Sequence, residues 1–355
     1  MALPVISRGI VEPGHEAHYA MHMCPPDQPS FTPDRVTPNV VFNRDLAVDV
    51  GVKMPDGKSV AMWVIQEPGQ PPTFPGAAIR VREGQIAHTI TNGKKHRHTL
   101  HHHGIEPTPF NDGVGHCSFV IGSDYAYQWQ ANQAGTFFYH CHVNTVLHFE
   151  YGLYALLIVD PPEGPGRLHR GGPAYTKEYF WVPDEIDPTW HTLGHSAFYQ
   201  AGCTADGPFS TNGILHYFNP KYFGITGVFS DGAKAITDPR IAVSAKQGEQ
   251  VLIRTLNAGY TVQRFTLGVG AWVWGMDGKA MGGGKKADGT YNYPQSKYSK
   301  PIWIPAGTPF MLSTAQRWDL ILDTTKKGVF NAQVGFMHWV SGATLKTLKT
   351  TITVA

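Results

Sequence analysis

Short runs of alternating or clustered β-forming residues repeat along the chain and predict a protein built almost entirely of strands. In the first half these runs occupy residues 40–42, 46–52, 59–66, 79–81, 86–91, 119–121, 125–130, 136–142 and 154–159. A Pro-Asp-Gly turn at positions 55–57 separates two of the runs, as in a hairpin. Short strands at such regular spacing are typical of a Greek-key β-sandwich.

A segment rich in proline and glycine, residues 160–166, stops the strand pattern and has the composition of a linker. A second series of runs follows at residues 177–182, 240–244, 250–256, 264–269, 301–304, 319–322 and 350–354. A chain of 355 residues suits two domains of about 150 residues each. We therefore predict an N-terminal arm over residues 1–40, a first sandwich over 41–165 and a second over 166–355.

Composition agrees with turn-rich β structure, since charged residues make up only 16% and the chain has 39 glycines and 27 prolines. The net charge of +2 is small and the basic residues are scattered, which argues against nucleic acid as a partner. No apolar stretch reaches the about 18 residues that span a bilayer. The start, Met-Ala-Leu-Pro, lacks the features of a signal peptide. An exported protein would therefore have lost its targeting segment from this sequence.

Histidine is the unusual feature, because 13 of the 18 histidines precede residue 160. Side chains alternate along a strand, so His140 and His142 should share one face while Cys141 points to the other. One thiolate and two imidazoles form the trigonal set of a blue-copper site, and a soft thiolate favours copper. We predict His98 and His148 as those imidazoles, with His96 as a less favourable replacement for His98.

On the opposite face, His101 and His103 are also two positions apart, so they can converge with His140 and His142. Such a cluster would hold one or two copper ions, and the peptide through Cys141 would join it to the other site. A single strand histidine is usually structural rather than a ligand. Zinc is the main rival metal, but structural zinc sites normally contain paired cysteines at short spacing.

These motifs resemble the multicopper oxidases, the family of laccases, ascorbate oxidases and ferroxidases. The resemblance lies in His-x-x-His-x-His-Gly at 98–104, His-Cys-His at 140–142, and the segments at 75–84, 111–114 and 135–139. It is strong over residues 40–160 and implies two cupredoxin-like Greek-key domains.

The resemblance also implies roles for individual residues. His98, Cys141 and His148 would bind a type 1 copper, with Leu153 in the axial position. A leucine at this position offers no donor atom to the copper and should therefore raise the reduction potential of the copper. The other matched histidines would supply half of an oxygen-reducing trinuclear copper cluster. They are His101, His103, His140 and His142.

Three further residues match the family pattern. Asp112 would help to deliver protons, although an ordinary turn aspartate explains it equally well. Cys117 and Cys203 would form a disulfide between the domains, the alternative being two free thiols.

The second domain departs from a copper-bearing pattern and resembles the family's copper-free middle domain. Where such a domain would contain His-x-His, residues 262–267 read Val-Gln-Arg-Phe-Thr-Leu, and only His338 remains near the C-terminus. The cluster would be completed by the arm histidines His15, His18 and His22, by a neighbouring copy, or not at all.

The sequence thus predicts a copper-dependent oxidoreductase that moves electrons from a small-molecule or protein donor to oxygen or a small nitrogen oxide. One alternative is a blue-copper electron carrier, or copper-binding protein, without a complete trinuclear cluster. Another is a nitrite reductase-like enzyme, but that family usually has Asp in the place of His101 and lacks a histidine at the position of His142. By resemblance to two-domain relatives we expect a homotrimer that is periplasmic or secreted.

Overall fold

The computed structural model describes residues 36–92, 98–105, 107–114, 124–198, 213–282 and 300–355. Over these ranges the chain consists mainly of strands, which confirms the all-β prediction. The strands of the first half are β1 (Val40–Lys53), β2 (Ser59–Gln66), β3 (Ile79–Arg82), β4 (Ile86–Asn92), β5 (His101–His103), β6 (Asp124–Gln130), β7 (Gly135–His140) and β8 (Tyr154–Asp160).

These strands form two mixed sheets, in the orders β2-β1-β4-β6 and β3-β8-β7-β5. Strand β1 runs parallel to β4, and β3 runs parallel to β8, while the other pairs are antiparallel. The core between the sheets contains large rings such as Trp63, Tyr139 and Tyr127. Every residue of β8 is buried, so this strand is covered on both faces.

The second half forms a further set of sheets. Its strands are β9 (Lys177–Trp181), β10 (Pro183–Ile186), β11 (Tyr222–Ile225), β12 (Val228–Ser230), β13 (Val243–Ala245), β14 (Val251–Thr255), β15 (Val262–Leu267), β16 (Ala271–Met276), β17 (Lys279–Ala280), β18 (Ile302–Ile304), β19 (Phe310–Leu312), β20 (Trp318–Leu322), β21 (Gly328–Met337) and β22 (Thr344–Val354). The larger sheets have the orders β13-β22-β21-β15-β19 and β17-β16-β20-β14-β9, with β18 beside β16, and β10-β11-β12 forms a small sheet.

Short helices connect some of the strands. They are α1 (Pro109–Asp112), α2 (Thr145–Glu150) and two 3₁₀ helices, Trp190–Phe198 and Ile214–His216. Helix α2 follows Asn144, whose left-handed backbone (φ 45°) turns the chain after β7. None of the described helices is long and apolar enough to cross a membrane.

The two sets of sheets meet across an apolar layer and a buried polar network. Phe138 and Leu156 of the first half pack in one cluster with Val182 and Leu256 of the second. Beside this layer lies the fully buried guanidinium group of Arg254.

Arg254 is the centre of the polar network. Its Nε donates to Glu178 Oε1 at 2.6 Å, and its NH1 group donates to Thr136 Oγ1 at 2.9 Å. The Thr136 hydroxyl donates to Asp319 Oδ1. Because buried charges are costly unless they are paired, this network ties β7 to β9, β14 and β20.

Some element boundaries differ from the prediction. The predicted runs 40–42 and 46–52 belong to the single strand β1, which has a bulge between Ala47 and Val50. The strand predicted over 136–142 ends at His140, where the chain turns toward α2. The run 119–121 lies outside the described residues. The domain boundaries at residues 40 and 165 stay predictions.

Candidate metal centre

The histidine cluster, which we define as His101, His103, His140 and His142, lies where β5 pairs with β7. Register places His101 directly opposite His140, and His103 opposite Phe138. Phe137, Tyr139 and Cys141 belong to the first core, whereas Phe138 belongs to the layer against the second half. The alternation of side chains thus continues through Cys141, although the ladder itself ends at His140.

Ring positions show how closely these imidazoles converge. His101 lies 5.6 Å from His103, 5.3 Å from His140 and 5.6 Å from His142, measured between ring centroids. His140 lies 5.7 Å from His103 and 5.8 Å from His142. One ligand atom from each of His101, His103 and His140 falls within 4.8 Å of the others. Three nitrogens at this separation can bind one metal ion.

Hydrogen bonds orient the imidazoles. His101 Nδ1 donates to the carbonyl oxygen of Asp112 at 2.7 Å, and His140 Nδ1 donates to that of Cys141 at 2.8 Å. Each bond leaves the Nε2 lone pair for a metal, as is usual for ligating histidines. His140 Nε2 then lies 3.5 Å from His103 Nδ1, so these two nitrogens face each other.

Burial disfavours the charged form of three of these imidazoles. It lowers the pKa of His103 to about 3, helped by the nearby charge of Arg317, and it lowers the pKa values of His140 and His142. Neutral imidazole is the form that binds metals.

Asp112 ends helix α1 beside the cluster. Its Oδ1 atom is 3.3 Å from His101 Nδ1, and its main-chain oxygen accepts the proton of that nitrogen. The next residue, Gly113, has φ 74°, and a Cβ atom there would collide with the carbonyl oxygen of Leu100. The Asn-Asp-Gly motif therefore places Asp112 against His101, because only glycine permits this close approach.

The Cys141 site, which we define as His98, Cys141, His148 and Leu153, lies on the core side of β7. Cys141 is free and buried. The Nδ1 atom of His148, on helix α2, is 3.1 Å from its sulfur. The Cys141 amide donates to the carbonyl oxygen of Leu153 at 3.0 Å, and Leu153 is fully buried in the same core.

His98 is buried next to β4. Its Nε2 atom is 3.3 Å from Thr91 Oγ1. Burial raises the pKa of the Cys141 thiol to about 11. A cation is therefore needed to stabilise the thiolate, and a thiolate with imidazole neighbours is a donor set that suits copper.

Other candidates lie apart from these sites or outside the described residues. His102 points away from the cluster, and its Nε2 atom is 2.9 Å from Thr89 Oγ1. Gln263 stands in β15, where a copper-bearing domain would have histidine, and donates to the Pro183 carbonyl at 3.0 Å. His338 Nδ1 accepts main-chain hydrogen bonds in the turn after β21. His15, His18, His22, His96, Cys117 and Cys203 lie outside the described residues.

Sequence reasoning missed three neighbours of the sites. Trp63 packs its ring edge-on to His148 at 5.4 Å, Thr91 contacts His98, and Arg317 lies close to His103. Trp63 and Thr91 stand in ordinary strand runs with no motif of their own. Arg317 stands in the Gln-Arg-Trp-Asp segment at 316–319, which resembles the family's copper-free middle domain and so gave no sign of a neighbouring histidine.

Comparison with known proteins connects this geometry to a family. A family model described as multicopper oxidase matches residues 49–164, which contain both sites. Residues 49–164 therefore form a domain of the multicopper oxidase family. This chain is 39% identical over 98 residues to L-ascorbate oxidase from Cucumis sativus, and the aligned segment covers 26% of this chain and 16% of that protein.

Two further relatives extend the similarity. Copper-containing nitrite reductase from Neisseria meningitidis is 27% identical over 228 residues, covering 64% of this chain and 52% of the relative. The chain thus spans about half, or less, of these curated relatives. The structure of Blue Copper Oxidase from Nitrosomonas europaea superimposes with a TM-score of 0.62 at 20% identity, covering 89% of this chain and 86% of that one. This match confirms the predicted cupredoxin-like fold.

Proposed function

We propose that this chain, which contains a multicopper oxidase domain, is a copper-dependent oxidoreductase that passes single electrons from the Cys141 site to the histidine cluster. One observation carries the proposal: adjacent residues of one chain segment serve both sites. Cys141 faces the first core, and His140 faces the cluster. The peptide between them is a covalent connection for electrons.

In this proposal His98, Cys141 and His148 would hold a type 1 copper, and Leu153 would lie beside it without binding it. The short distance between Cys141 and His148 supports it, as does the aliphatic surface of Leu153 in the same core. A bound copper would supply one-electron redox chemistry and Lewis acidity. The protein's part is to exclude water from Cys141 and to fix the ligand nitrogens.

The histidine cluster would bind one or more further coppers, at which oxygen or a small nitrogen oxide is reduced. Its imidazoles offer lone pairs, and the carbonyl oxygens of Asp112 and Cys141 fix two of the rings. The Asp112 carboxylate, 3.3 Å from His101, would hold a proton for the reduced acceptor.

A complete trinuclear copper cluster needs more imidazoles than the four of the histidine cluster. We propose that a neighbouring copy in a homotrimer, His338 or the arm histidines His15, His18 and His22 provide them. A Cys117 to Cys203 disulfide and a periplasmic or secreted location belong to the same proposal. The donor would be a small molecule or a protein.

Copper analysis with paramagnetic resonance tests the proposal. We expect a type 1 signal together with a type 2 signal or a coupled pair, and oxygen or nitrite consumption with a one-electron donor. The Asp112→Asn variant should retain both signals but lose activity, most strongly at high pH, where protons are scarce. A content of one copper per chain, with no consumption of oxygen or nitrite, would refute the proposed enzymatic function.

A second candidate is an electron carrier with the Cys141 copper alone. Gln263 favours it, because this buried amide stands where the second domain would otherwise offer a ligand. A type 1 signal without any other copper signal would select this function.

A further inference from the structure

The imidazole next to Cys141 is shielded from solvent. His148 has 0% exposed surface, and Cys141 has 1%. Helix α2 and the 3₁₀ helix Trp190–Phe198 are in contact at this side of the first sandwich. A soluble reductant therefore has no direct contact with His148 in the described chain, although electrons must reach it if the proposed function is correct.

Aromatic rings lead from His148 to the interior of the 3₁₀ helix. Trp63 lies 5.4 Å from His148, and Tyr151 lies 4.2 Å from Trp63, between ring centroids. The Tyr151 hydroxyl donates to the carbonyl oxygen of Trp190 at 3.0 Å. His191 stacks on Tyr151 at 4.4 Å and fixes its ring.

The series continues from Trp190 to the surface of the second half. Phe218 lies 4.9 Å from Trp190 and 5.5 Å from Trp339. Trp339 follows β21, is 40% exposed, and stacks on His338 at 4.3 Å. Tyr260 packs against Phe218 at 5.2 Å and supports the middle of the series.

We propose that Trp339 is the site at which an aromatic reductant delivers electrons, and that the ring series conducts them to the Cys141 site. The proposal rests on the proposed function. The series consists of Trp339, Phe218, Trp190, Tyr151, Trp63 and His148. The reductant, of the hydroquinone class, loses one electron and then a proton to solvent. The copper bound by Cys141 and His148 is the one-electron acceptor.

Buried aromatic rings most often serve packing alone, and Trp63, Tyr151 and Trp190 do belong to the first core. Three features go beyond packing. Four steps of the series are ring-to-ring contacts, and the fifth is the hydrogen bond from the Tyr151 hydroxyl to the Trp190 carbonyl oxygen. The outermost indole is exposed. Apart from Phe218, which bridges two indoles, the protein's conducting rings are indoles and a phenol, the side chains that give up an electron most readily. Electron tunnelling weakens steeply with distance, so closely spaced rings are an effective route to a buried acceptor.

The first test measures the rate at which hydroquinone bleaches the blue absorption of the copper-loaded chain without oxygen, in single-turnover stopped-flow experiments. Trp339→Phe should slow bleaching by about an order of magnitude, with an unchanged visible spectrum. Trp339→Tyr, which restores a ring that is readily oxidised, should recover most of the rate. The matched control is Trp272→Phe, an indole of 42% exposure that pairs with Trp303 on β16 and β18.

The second test uses the full chain without copper. A diffusing photogenerated one-electron oxidant cannot contact Trp63, whose ring is fully buried. Peptide mass spectrometry should still find oxidised Trp63 in the wild type, far less in Trp339→Phe, and the wild-type level in Trp272→Phe.

The outcomes separate the two proposals. The aromatic route would be overturned if Trp339→Phe bleached at the wild-type rate, as Trp272→Phe should. It would also be overturned if the oxidation of Trp63 did not depend on Trp339. A wild type that forms no blue site would instead overturn the proposed function, while the copper-free experiment would still report on the ring series.

Discussion

The Nδ1 atom of His148 lies 3.1 Å from the Cys141 sulfur, although Cys141 follows β7 and His148 belongs to α2, so the two face each other only after α2 folds back. This pair is the best-defined part of the Cys141 site. Replacing sulfur by oxygen in Cys141→Ser should abolish strong visible absorption, because the colour requires a copper-thiolate bond. Absorption spectra and copper content of both proteins check this. Survival of the colour would show that another residue supplies the thiolate.

The histidine cluster should lose its copper independently of the Cys141 site. In His101→Ala the remaining imidazoles no longer enclose one position, since His101 contacts each of the others. We expect fewer coppers per chain and loss of the type 2 or coupled signal, with the type 1 signal retained. The control is the exposed His216→Ala, which should keep the full copper content. Equal copper content in both variants would contradict the cluster.

Leu153 should set the reduction potential of the Cys141 copper. Leu153→Met conserves volume and should cost less than about 1.5 kcal/mol of stability. Its thioether would add an axial donor that stabilises the oxidised ion, so the potential should fall. Redox titration of the blue absorption measures the shift. An unchanged or higher potential would place Leu153 away from the metal.

Gly113 should be essential for the position of Asp112. A side chain at this left-handed residue collides with the Leu100 carbonyl, so Gly113→Ala must move helix α1 as well as strain the backbone. The control Gly57→Ala is also left-handed but has open space, and should cost only about 1–2 kcal/mol. Thermal unfolding should show a larger loss for Gly113→Ala, and copper analysis should show weaker loading of the cluster. Equal losses would disprove the steric argument.

Glu178 should make the interface between the two halves sensitive to acid. Burial alone would raise its pKa, but the guanidinium groups of Arg254 and Arg80 hold the pKa below the usual 4.5. Such a group stabilises the fold above its unfolded pKa, and this stability is lost as pH falls through the folded pKa.

Thermal unfolding of Glu178→Gln tests this predicted dependence of stability on pH. The variant should be less stable by about 3 kcal/mol at pH 7, and the difference from wild type should shrink below about pH 4. The exposed Glu67→Gln should match the wild type at both pH values. A difference that grows in acid would contradict the ion-pair assignment.

The sequence by itself determined the strand content and the two-faced arrangement of histidine and cysteine side chains around Cys141. These features are local, because residues two apart in an extended chain share a face whatever the rest of the protein does. The same reasoning separated His102 from its neighbours. It also indicated the copper-poor character of the second half, since that rests on which residue types are present at 262–267.

Only the tertiary structure decided which of these groups meet. The register of β5 on β7 brings His101 opposite His140, and the fold of α2 brings His148 to Cys141. Docking of the second half buries Arg254 against Thr136 and brings Trp339 to Phe218. Apart from Cys141 and His148, which are seven positions apart, such contacts join residues that are far apart in sequence, and they depend on the packing energy of whole sheets. No short motif encodes that energy.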